Sequence, residues 1–261
     1  MITVSLLNRK GGVGKTTASI NLAAIFAKKY NKKVLLVDLD PQANASMYLD
    51  KFVSKDEKSI YDVICENMEI SKIIMDTDIE NLKLAPANIH LDKADTMLSS
   101  VMVAREFRLQ SKLSEVADQF DYVFIDCPPT RNNVTVNALV ASDYAILPCE
   151  ATEYGLDSMG AMRDFVVSIT EHLNQNLEVA GVLFTKKENN TPQNFYCEQM
   201  KQLLTEYHFF KTNIRKTVVV DKSLNWRQPL IVYNEAEKVT QDYLCVAEEL
   251  YEIINGGNCN G

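Results

Sequence analysis

The chain has 261 residues, a formal net charge of −8 and 46% hydrophobic residues. This length suits one large α/β domain, and the composition is ordinary for a globular protein. No apolar run approaches the roughly 18 residues that a membrane-spanning helix needs. We therefore exclude a general polycation and a membrane-embedded chain. Because MITVSLL runs directly into a glycine-rich stretch, we also expect no signal peptide.

The six cysteines are scattered along the chain and form no CxxC pair. Structural metal sites and the disulfide frameworks of small domains place their cysteines at short, regular spacings. We therefore expect reduced thiols, as in a cytoplasmic protein, rather than a metal site or a disulfide framework.

Apolar runs typical of β-strands alternate along the chain with helical patterns. The predicted strands are ITVSLLN, KKVLLVDLD, NLKLAPA, DYVFIDCP, DYAILPCE and VAGVLFTK. The predicted helices cover residues 15–29, 59–67, 91–117, 134–141, 157–174, 192–207 and 235–254. This alternation favours an α/β fold with a doubly wound, mostly parallel sheet and helices on both faces. We expect one domain over residues 1–255 and a disordered tail over residues 256–261.

The first strand and the first helix enclose the glycine-rich stretch LNRKGGVGKTT. Its three glycines allow positive φ and let backbone N–H groups approach an anion at a helix N-terminus. Its end fits the pattern G-x-x-x-x-G-K-[ST], in which Lys15 reaches the β- and γ-phosphates and the Thr16 hydroxyl binds Mg²⁺. Arg9 replaces the first glycine of that pattern, and a second lysine, Lys10, follows it. The predicted nucleotide cradle consists of Lys10, Gly11, Gly12, Val13, Gly14, Lys15, Thr16 and Thr17.

Three aspartates follow strands that should end at the same edge of the sheet. Asp38 and Asp40 close the second strand in VLLVDLDPQANAS, and Asp126 ends the apolar strand in YVFIDCPPT. Carboxylates at the carboxyl ends of parallel strands point into the crevice where ligands bind. Asp126 has the form of a Walker B acid, which holds Mg²⁺ directly or through water. The sequence therefore predicts a Mg²⁺-nucleotide site in this crevice.

KGGVGKTT, VLLVDLDPQANAS and FIDCPPT occur in the order and spacing of the ParA/MinD family of deviant Walker ATPases. LPCEATEYGLDSMG and the late loop (residues 214–229) also resemble that family, so the similarity covers nearly the whole chain. The chain is most similar to short ParA proteins of the Soj type, which lack an amino-terminal DNA-reading domain. The resemblance implies a P-loop fold, Mg²⁺-dependent hydrolysis of ATP and partition of plasmid or chromosome DNA.

The resemblance also implies roles for individual residues. Lys10 corresponds to the family's signature lysine, which crosses the interface of an ATP-sandwich homodimer to the partner's phosphates. A cation delivered in this way can stabilise charge on a transferring phosphoryl group, and it links nucleotide binding to dimerisation. Asp40 corresponds to the acid that positions water, and Asp38 supports the switch and the magnesium shell, beside Thr16 and Asp126. The implied catalytic residues are Lys10, Lys15 and Asp40. Relatives hold adenine at the positions of Lys186, Ile214 and Arg215.

Charge is uneven along the chain. The basic segment (residues 186–227) holds eight basic and four acidic residues, a net +4 in a chain of −8. Relatives often place a DNA-binding arginine near position 190, where this chain has Asn190, and a Pro-Arg pair where it has Arg215 and Lys216. Phosphate contacts need charge more than a particular residue. A solvated face is the commoner cause of such a run, but we expect non-specific DNA binding by Lys186, Lys187, Arg215, Lys216, Lys222 and Arg227.

The family contains proteins with different functions. A ParA-type partition ATPase is expected to lie in the cytoplasm on the nucleoid and to respond to a centromere-binding, ParB-like partner. A ParA-like protein that positions a conjugation or secretion complex is the main alternative. A MinD-like membrane switch needs a basic amphipathic carboxyl end, whereas QDYLCVAEELYEIINGGNCNG is acidic, so we expect no membrane partner. A reductase resembling the nitrogenase iron protein needs paired cluster cysteines, and Cys127 has no suitably placed mate.

Overall fold

The computed structural model describes residues 1–188 and 190–256, so residues 257–261 of the predicted tail lie outside the described residues. The described strands form one sheet of order β3-β4-β2-β5-β1-β6-β7. Their bounds are β1 (Ile2–Leu6), β2 (Val34–Asp38), β3 (Met75–Asp76), β4 (Leu82–Ala85), β5 (Tyr122–Asp126), β6 (Tyr144–Cys149) and β7 (Glu178–Phe184). All pairings are parallel except that of β3 with β4. The predicted fold class is confirmed.

Helices connect the strands and cover both faces of the sheet. They are α1 (Lys15–Lys28), α2 (Asn44–Tyr48), α3 (Ile60–Glu66), α4 (Ala94–Ser99), α5 (Arg108–Ser114), α6 (Asn133–Val140), α7 (Glu153–His172), α8 (Thr191–Leu203), α9 (Val219–Asn225), α10 (Leu230–Tyr233) and α11 (Lys238–Ile254). Short 3₁₀ turns lie at Ile70–Lys72, Ile89–Lys93 and Arg105–Phe107. In the part of the chain that the structure describes, no helix has the length and apolar character needed to cross a bilayer.

Two apolar cores lie on opposite faces of the sheet. Residues of α1, α10 and α11 belong to one core, and residues of α3 to α8 belong to the other. Neighbouring strand residues alternate between the two, so that Leu35 packs in one core and Leu36 in the other. This alternation follows from the two-residue period of a strand and explains why β2 is apolar without interruption.

The strand register brings the functional ends of three strands together. β5 lies between β1 and β2, with Leu6 opposite Asp126 on one side and Asp38 opposite Asp126 on the other. The chain then leaves β1 for the glycine-rich loop and enters α1 at Lys15. The crevice expected from the sequence is therefore located at the carboxyl ends of β1, β5 and β2.

The prediction of a single helix over residues 91–117 is wrong. The structure has a 3₁₀ turn, α4, a non-helical stretch at 100–104, a second 3₁₀ turn and α5. The Ser99 and Ser100 hydroxyls donate to the carbonyls of Asp95 and Met97, at 2.8 and 2.6 Å, and such local bonds compete with helix continuation. Ala104 then adopts a left-handed φ of 56°, which ends the helical path.

Other boundaries differ for local reasons. The seventh helix begins at Glu153 rather than at residue 157, because Thr152 caps it by accepting a hydrogen bond from Gly155 N–H at 3.1 Å. Asn190, which stands where relatives often have an arginine, caps α8 through Gln193 N–H at 3.0 Å. The sequence missed β3, α2, α9 and α10. Of these, β3, α2 and α10 have five residues or fewer and are too short to show a period.

Candidate nucleotide site

The phosphate loop (residues 8–17) takes its shape from two left-handed glycines and one buried amide. Gly12 and Gly14 have φ values of 76° and 85°, a region that residues with a Cβ rarely adopt. The Asn8 side-chain oxygen accepts hydrogen bonds from Lys10 N–H at 2.9 Å and from the Ser158 hydroxyl at 2.7 Å. The first N–H groups of α1, which have no acceptor within the helix, begin immediately after Gly14. This arrangement is suited to binding an anion.

Lys15 is buried beside the loop. Its Nζ donates a hydrogen bond to the Lys10 carbonyl at 3.3 Å, and the described residues offer it no second acceptor. Burial lowers the pKa of Lys15, while the charges of Asp126 and Asp40 raise it. An ammonium has three donors, and a buried cation requires compensation by anions. Lys15 is therefore available to bind the phosphates of a nucleotide.

Asp38 and Asp126 are both buried but have different surroundings. Asp38 accepts hydrogen bonds from the N–H and hydroxyl of Ser46, at 2.9 and 2.8 Å, and from Asp40 N–H at 3.1 Å. Asp126 Oδ1 accepts from the Ser19 hydroxyl at 3.1 Å, whereas its Oδ2 has no partner among the described residues. Asp38 thus fixes the segment that follows β2 through these hydrogen bonds, whereas Oδ2 of Asp126 is available to a ligand.

The electrostatics of this pair depend on burial. Burial raises the pKa of Asp126, and the charge of Asp38 raises it further, while the Thr16 hydroxyl, Lys15 and Ser19 lower it. Burial also raises the pKa of Asp38, against the hydrogen bonds from Ser46 and Asp40. Two buried carboxylates without a direct counter-ion carry a desolvation cost that a cation would remove.

The residues present fit a magnesium ion. The Thr16 hydroxyl and the unpartnered Asp126 Oδ2 are hard oxygen donors, and Mg²⁺ in nucleotide sites takes few protein oxygens and keeps its waters. Thr16 lines the cavity, and its hydroxyl is close enough to Asp126 to lower the pKa of that acid. Thr16 and Asp126 would therefore hold the ion, with Asp38 behind them.

A cavity of about 650 Å³ opens in front of the phosphate loop. Asp40 lines it, and one Asp40 oxygen accepts from Gln42 N–H at 2.9 Å, which fixes the carboxylate at the cavity wall. Of the sequence-predicted residues, the cavity wall contains Gly11, Gly12, Gly14, Lys15, Thr16, Thr17, Asp40, Lys186 and Arg227. Val13 is buried behind the loop, where its carbonyl accepts from the Thr185 hydroxyl at 2.7 Å.

Glu150 connects two lysines of the site. Its Oε2 lies 3.4 Å from Lys10 Nζ and its Oε1 lies 3.1 Å from Lys186 Nζ. Lys186 Nζ also donates to the Gly12 carbonyl at 2.6 Å. Gly155, without a Cβ, lets α7 begin against the backbone of Glu150, since a Cβ there would lie 2.1 Å from the Glu150 carbonyl oxygen. In this structure Lys10 is therefore held within its own subunit.

A second cavity (the base cavity), of about 240 Å³, adjoins the first. Ile214, Val220 and Tyr243 give it apolar walls, and Arg215 lies at its edge. The Arg215 guanidinium donates two hydrogen bonds of 2.7 Å to Asp242 on α11, and Arg215 N–H donates a third to the same carboxylate at 3.1 Å. A flat apolar base fits such a pocket. Lys186 and Ile214, predicted beside adenine, line this cavity with Arg215.

The six predicted DNA-binding residues lie in one region but mostly carry partners. Lys187 N–H donates to the Ile214 carbonyl at 2.9 Å, which sets the 186–188 turn beside the late loop. Lys187 Nζ bonds the Glu188 carbonyl and Asn194, and Lys216 pairs with Glu188 at 3.2 Å. The acids that pair with the other cations are Glu150 for Lys186, Asp242 for Arg215 and Asp50 for Arg227. Lys222 is exposed on α9.

Several residues of the site were missed by the sequence analysis. Glu150 directly follows β6, so the same strand-end rule that located Asp126 could have found it. Ser19 follows Thr16 by three residues on α1 and therefore shares its helix face. Asp242 and Tyr243 gave no comparable signal, because their roles depend on how α11 packs against the late loop.

Comparison with known proteins adds a family match and two close relatives. The model of the AAA domain family matches residues 1–179. The sporulation initiation inhibitor protein Soj of Bacillus subtilis is 35% identical over 248 residues, which cover 95% of this chain and 97% of Soj. The chromosome partitioning protein ParA of Myxococcus xanthus is 30% identical over 247 residues, which cover 95% of this chain and 87% of that protein.

Two solved structures are similar to the whole chain. The McdA–ATP complex of Cyanothece has a TM-score of 0.88 at 23% identity and covers 96% of each chain, which supports the fold. Cobyrinic acid a,c-diamide synthase of Mycobacterium smegmatis, solved with bound ADP and magnesium, has a TM-score of 0.83 at 26% identity. That match covers 99% of this chain and 97% of the synthase.

Proposed function

Because this chain belongs to the ParA/MinD family of P-loop ATPases, we propose that it partitions plasmid or chromosome DNA as an ATP-dependent dimer. One observation carries the proposal: three separate segments, which are the phosphate loop and the ends of β2 and β5, bring Lys10, Lys15, Asp40 and Asp126 close together. Two cations for phosphates, an acid at the cavity wall and a buried acid with a free oxygen are the parts that Mg²⁺-dependent ATP hydrolysis requires.

In the proposed reaction the phosphate loop binds the β- and γ-phosphates through its N–H groups and through Lys15. Thr16 and Asp126 would hold Mg²⁺, which would supply positive charge to the phosphate oxygens. Asp40 orients the water that attacks the γ-phosphate, since its carboxylate is fixed by Gln42 N–H at the cavity wall. Transfer to water yields ADP and phosphate.

We assign the proposed dimerisation to Lys10. In the single chain its ammonium pairs with Glu150 and is about one-third exposed, so this ion pair is weak. Triphosphate from a second subunit offers it a stronger partner, and Lys10 then stabilises the charge of the transferring phosphoryl group. ATP binding and formation of the homodimer are thereby linked, and each increases the affinity of the other.

DNA binding is assigned to the basic segment. Two of its cations pair with exposed carboxylates, Lys216 with Glu188 and Arg227 with Asp50, and such surface pairs contribute little to stability. DNA phosphates can replace these partners without a large loss, and the resulting affinity is independent of base sequence and sensitive to salt. A dimer would carry two copies of the basic segment.

Membership of the family also suggests where in the cell the protein acts and which partner protein it has. ParA of Myxococcus xanthus is a chromosome partitioning protein, and the chain is similar to it along nearly its whole length. We assign the protein to the nucleoid in the cytoplasm, where DNA-bound dimers form. A centromere-binding, ParB-like protein is the partner that stimulates hydrolysis and releases the dimer from DNA.

The testing experiment is co-sedimentation with DNA in the presence of ATP, ADP or no nucleotide. We expect the protein to pellet with DNA when Mg²⁺ and ATP are present and to stay in the supernatant otherwise. Two DNA fragments of unrelated sequence should give equal binding, because phosphate contacts carry no sequence information. Equal pelleting in all three nucleotide states, or none in any, would contradict the proposed switch.

A further inference from the structure

The nucleotide cavity and the base cavity share a wall. Gly14, Thr17, Lys186, Val220 and Asp221 line both cavities. A nucleotide with its phosphates on the phosphate loop and its base in the second cavity must pass its sugar across this shared wall. The shared wall is therefore the place where this chain can recognise the sugar.

Asp221 is the carboxylate of the shared wall. It lies in the first turn of α9 and is exposed. Lys186, the cation of the shared wall, is engaged, since it bonds Glu150 and the Gly12 carbonyl. Within residues 1–188 and 190–256, the Asp221 carboxylate has no ion pair and accepts no side-chain hydrogen bond. It is thus free to accept hydrogen bonds from a ligand.

The chemistry of a carboxylate selects the sugar. The 2′- and 3′-hydroxyls of ribose each donate one hydrogen bond, and an ionised carboxylate has two accepting oxygens and no donor. Nucleotide-binding α/β folds of another class use an acidic residue for the ribose hydroxyls in this way. Val220 offers no polar group, the Lys186 ammonium can only donate, and Thr17 has a single hydroxyl oxygen. Of the side chains on the shared wall, Asp221 is the one with two accepting oxygens for the two hydroxyls.

We propose that Asp221 accepts hydrogen bonds from the ribose hydroxyls of the bound nucleotide and so selects ribonucleotides over deoxyribonucleotides. This inference rests on the proposed function, since it places ATP across the two cavities. Whether removal of the carboxylate weakens or tightens ATP binding distinguishes this role of Asp221 from that of an acid that only lies near the nucleotide. A carboxylate beside a triphosphate with no donor to bind repels it, so its removal would tighten ATP binding. If the carboxylate accepts hydrogen bonds from ribose, its removal weakens ATP binding.

The test is isothermal titration calorimetry of ATP, 2′-dATP and 3′-dATP in the presence of Mg²⁺. The unaltered protein should bind ATP about tenfold more tightly than either deoxy analogue, because each analogue leaves a charged acceptor without one donor. Asp221→Ala should lose about tenfold in ATP affinity and bind the three nucleotides within about twofold of one another. Asp221→Asn keeps the side-chain volume and should lose most of the discrimination. Asp118→Ala removes an exposed acid elsewhere and should leave the ratios unchanged.

The outcomes separate this inference from the proposed function. If the unaltered protein binds all three nucleotides equally, ATP binding stands and the role of Asp221 is overturned, without recourse to any variant. If Asp221→Ala weakens ATP and 2′-dATP by the same factor, the carboxylate contacts the base or the metal shell rather than the sugar. If the unaltered protein binds none of them, the proposed function fails and this inference fails with it.

Discussion

The phosphate loop and the late loop border the same cavity but are stabilised in different ways. The phosphate loop depends on left-handed glycines and lies beside buried charged groups, among them Lys15 and Asp126. The late loop is held by charged side chains of distant elements, with Arg215 bound to Asp242 on α11 and Arg227 to Asp50 after α2. Buried charges are costly to leave unpaired, whereas an exposed pair such as Arg227 with Asp50 exchanges partners easily. The first region is therefore suited to fixed chemistry and the second to reversible contacts.

The largest effect should follow from changing the buried cation of the phosphate loop. We expect Lys15→Ala to reduce ATP affinity by about 1000-fold, because truncating one partner of a buried charged contact leaves the phosphates uncompensated. Calorimetry with Mg-ATP measures the loss. Lys29→Ala, an exposed lysine at the other end of α1, is the matched control and should bind as the unaltered protein does. Unchanged affinity of Lys15→Ala would remove the basis for a phosphate site at this loop.

The second prediction tests whether Lys10 acts within its own subunit. Asp40→Ala should bind Mg-ATP and accumulate as a dimer while turnover falls about 100-fold, since only the attacking water loses its partner. Lys10→Ala should bind ATP as a monomer and neither dimerise nor hydrolyse it. Light scattering and phosphate release measure the two properties of each variant.

Mixing these two variants separates action within a subunit from action across a dimer. In a mixed dimer one site combines an intact Asp40 with the intact Lys10 of the other subunit, so some hydrolysis should return. If Lys10 served its own subunit, every site would lack one essential group and the mixture would stay inactive. If mixed dimers demonstrably form but the mixture has no activity, the proposal that Lys10 acts across the dimer interface is refuted.

The third prediction concerns the cost of burying Asp126. Its Oδ2 has no partner in the described residues, and burial raises its pKa. Asp126→Asn should therefore stabilise the nucleotide-free protein by about 1–2 kcal/mol, with a rise in Tm of about 2–4 °C for each kcal/mol. The same variant should lose the Mg²⁺ dependence of ATP affinity, because a ligand oxygen becomes neutral. Asp118→Asn is the control at an exposed position, and a lower Tm for Asp126→Asn would show that the acid is compensated without a ligand.

The comparison of the two loops also explains what the sequence could predict. The phosphate loop and the ends of β2 and β5 are determined by local features: glycines, apolar strands and the acids that follow them. The sequence therefore located Lys15, Asp38, Asp40 and Asp126 before their spatial relation was known. The parallel sheet followed from strands that are apolar without interruption and from the alternation with helices.

The late loop was not predictable in the same way. Its structure depends on Asp242 and Tyr243, which lie on α11 and become neighbours of Arg215 and Ile214 only in the folded chain. Glu150 holds Lys10 through a contact 140 residues apart. The helix predicted over residues 91–117 failed because the serine hydroxyls at its centre bond backbone carbonyls, an effect that hydrophobic periodicity does not register.

The smallest expected effect concerns Asp50, which pairs on the protein surface with Arg227 of the late loop. Asp50→Asn should change the free energy of unfolding by less than about 0.5 kcal/mol, because both side chains are more than half exposed. Asn also tolerates the left-handed φ of 54° at this position. Removing the carboxylate frees Arg227 for DNA phosphate, so ATP-dependent DNA affinity should rise about twofold at low salt and less at high salt. Asp78→Asn, which removes an equal charge beside Lys51, is the control. An equal rise for both variants would mean that only net charge matters, and that Arg227 is not a DNA contact.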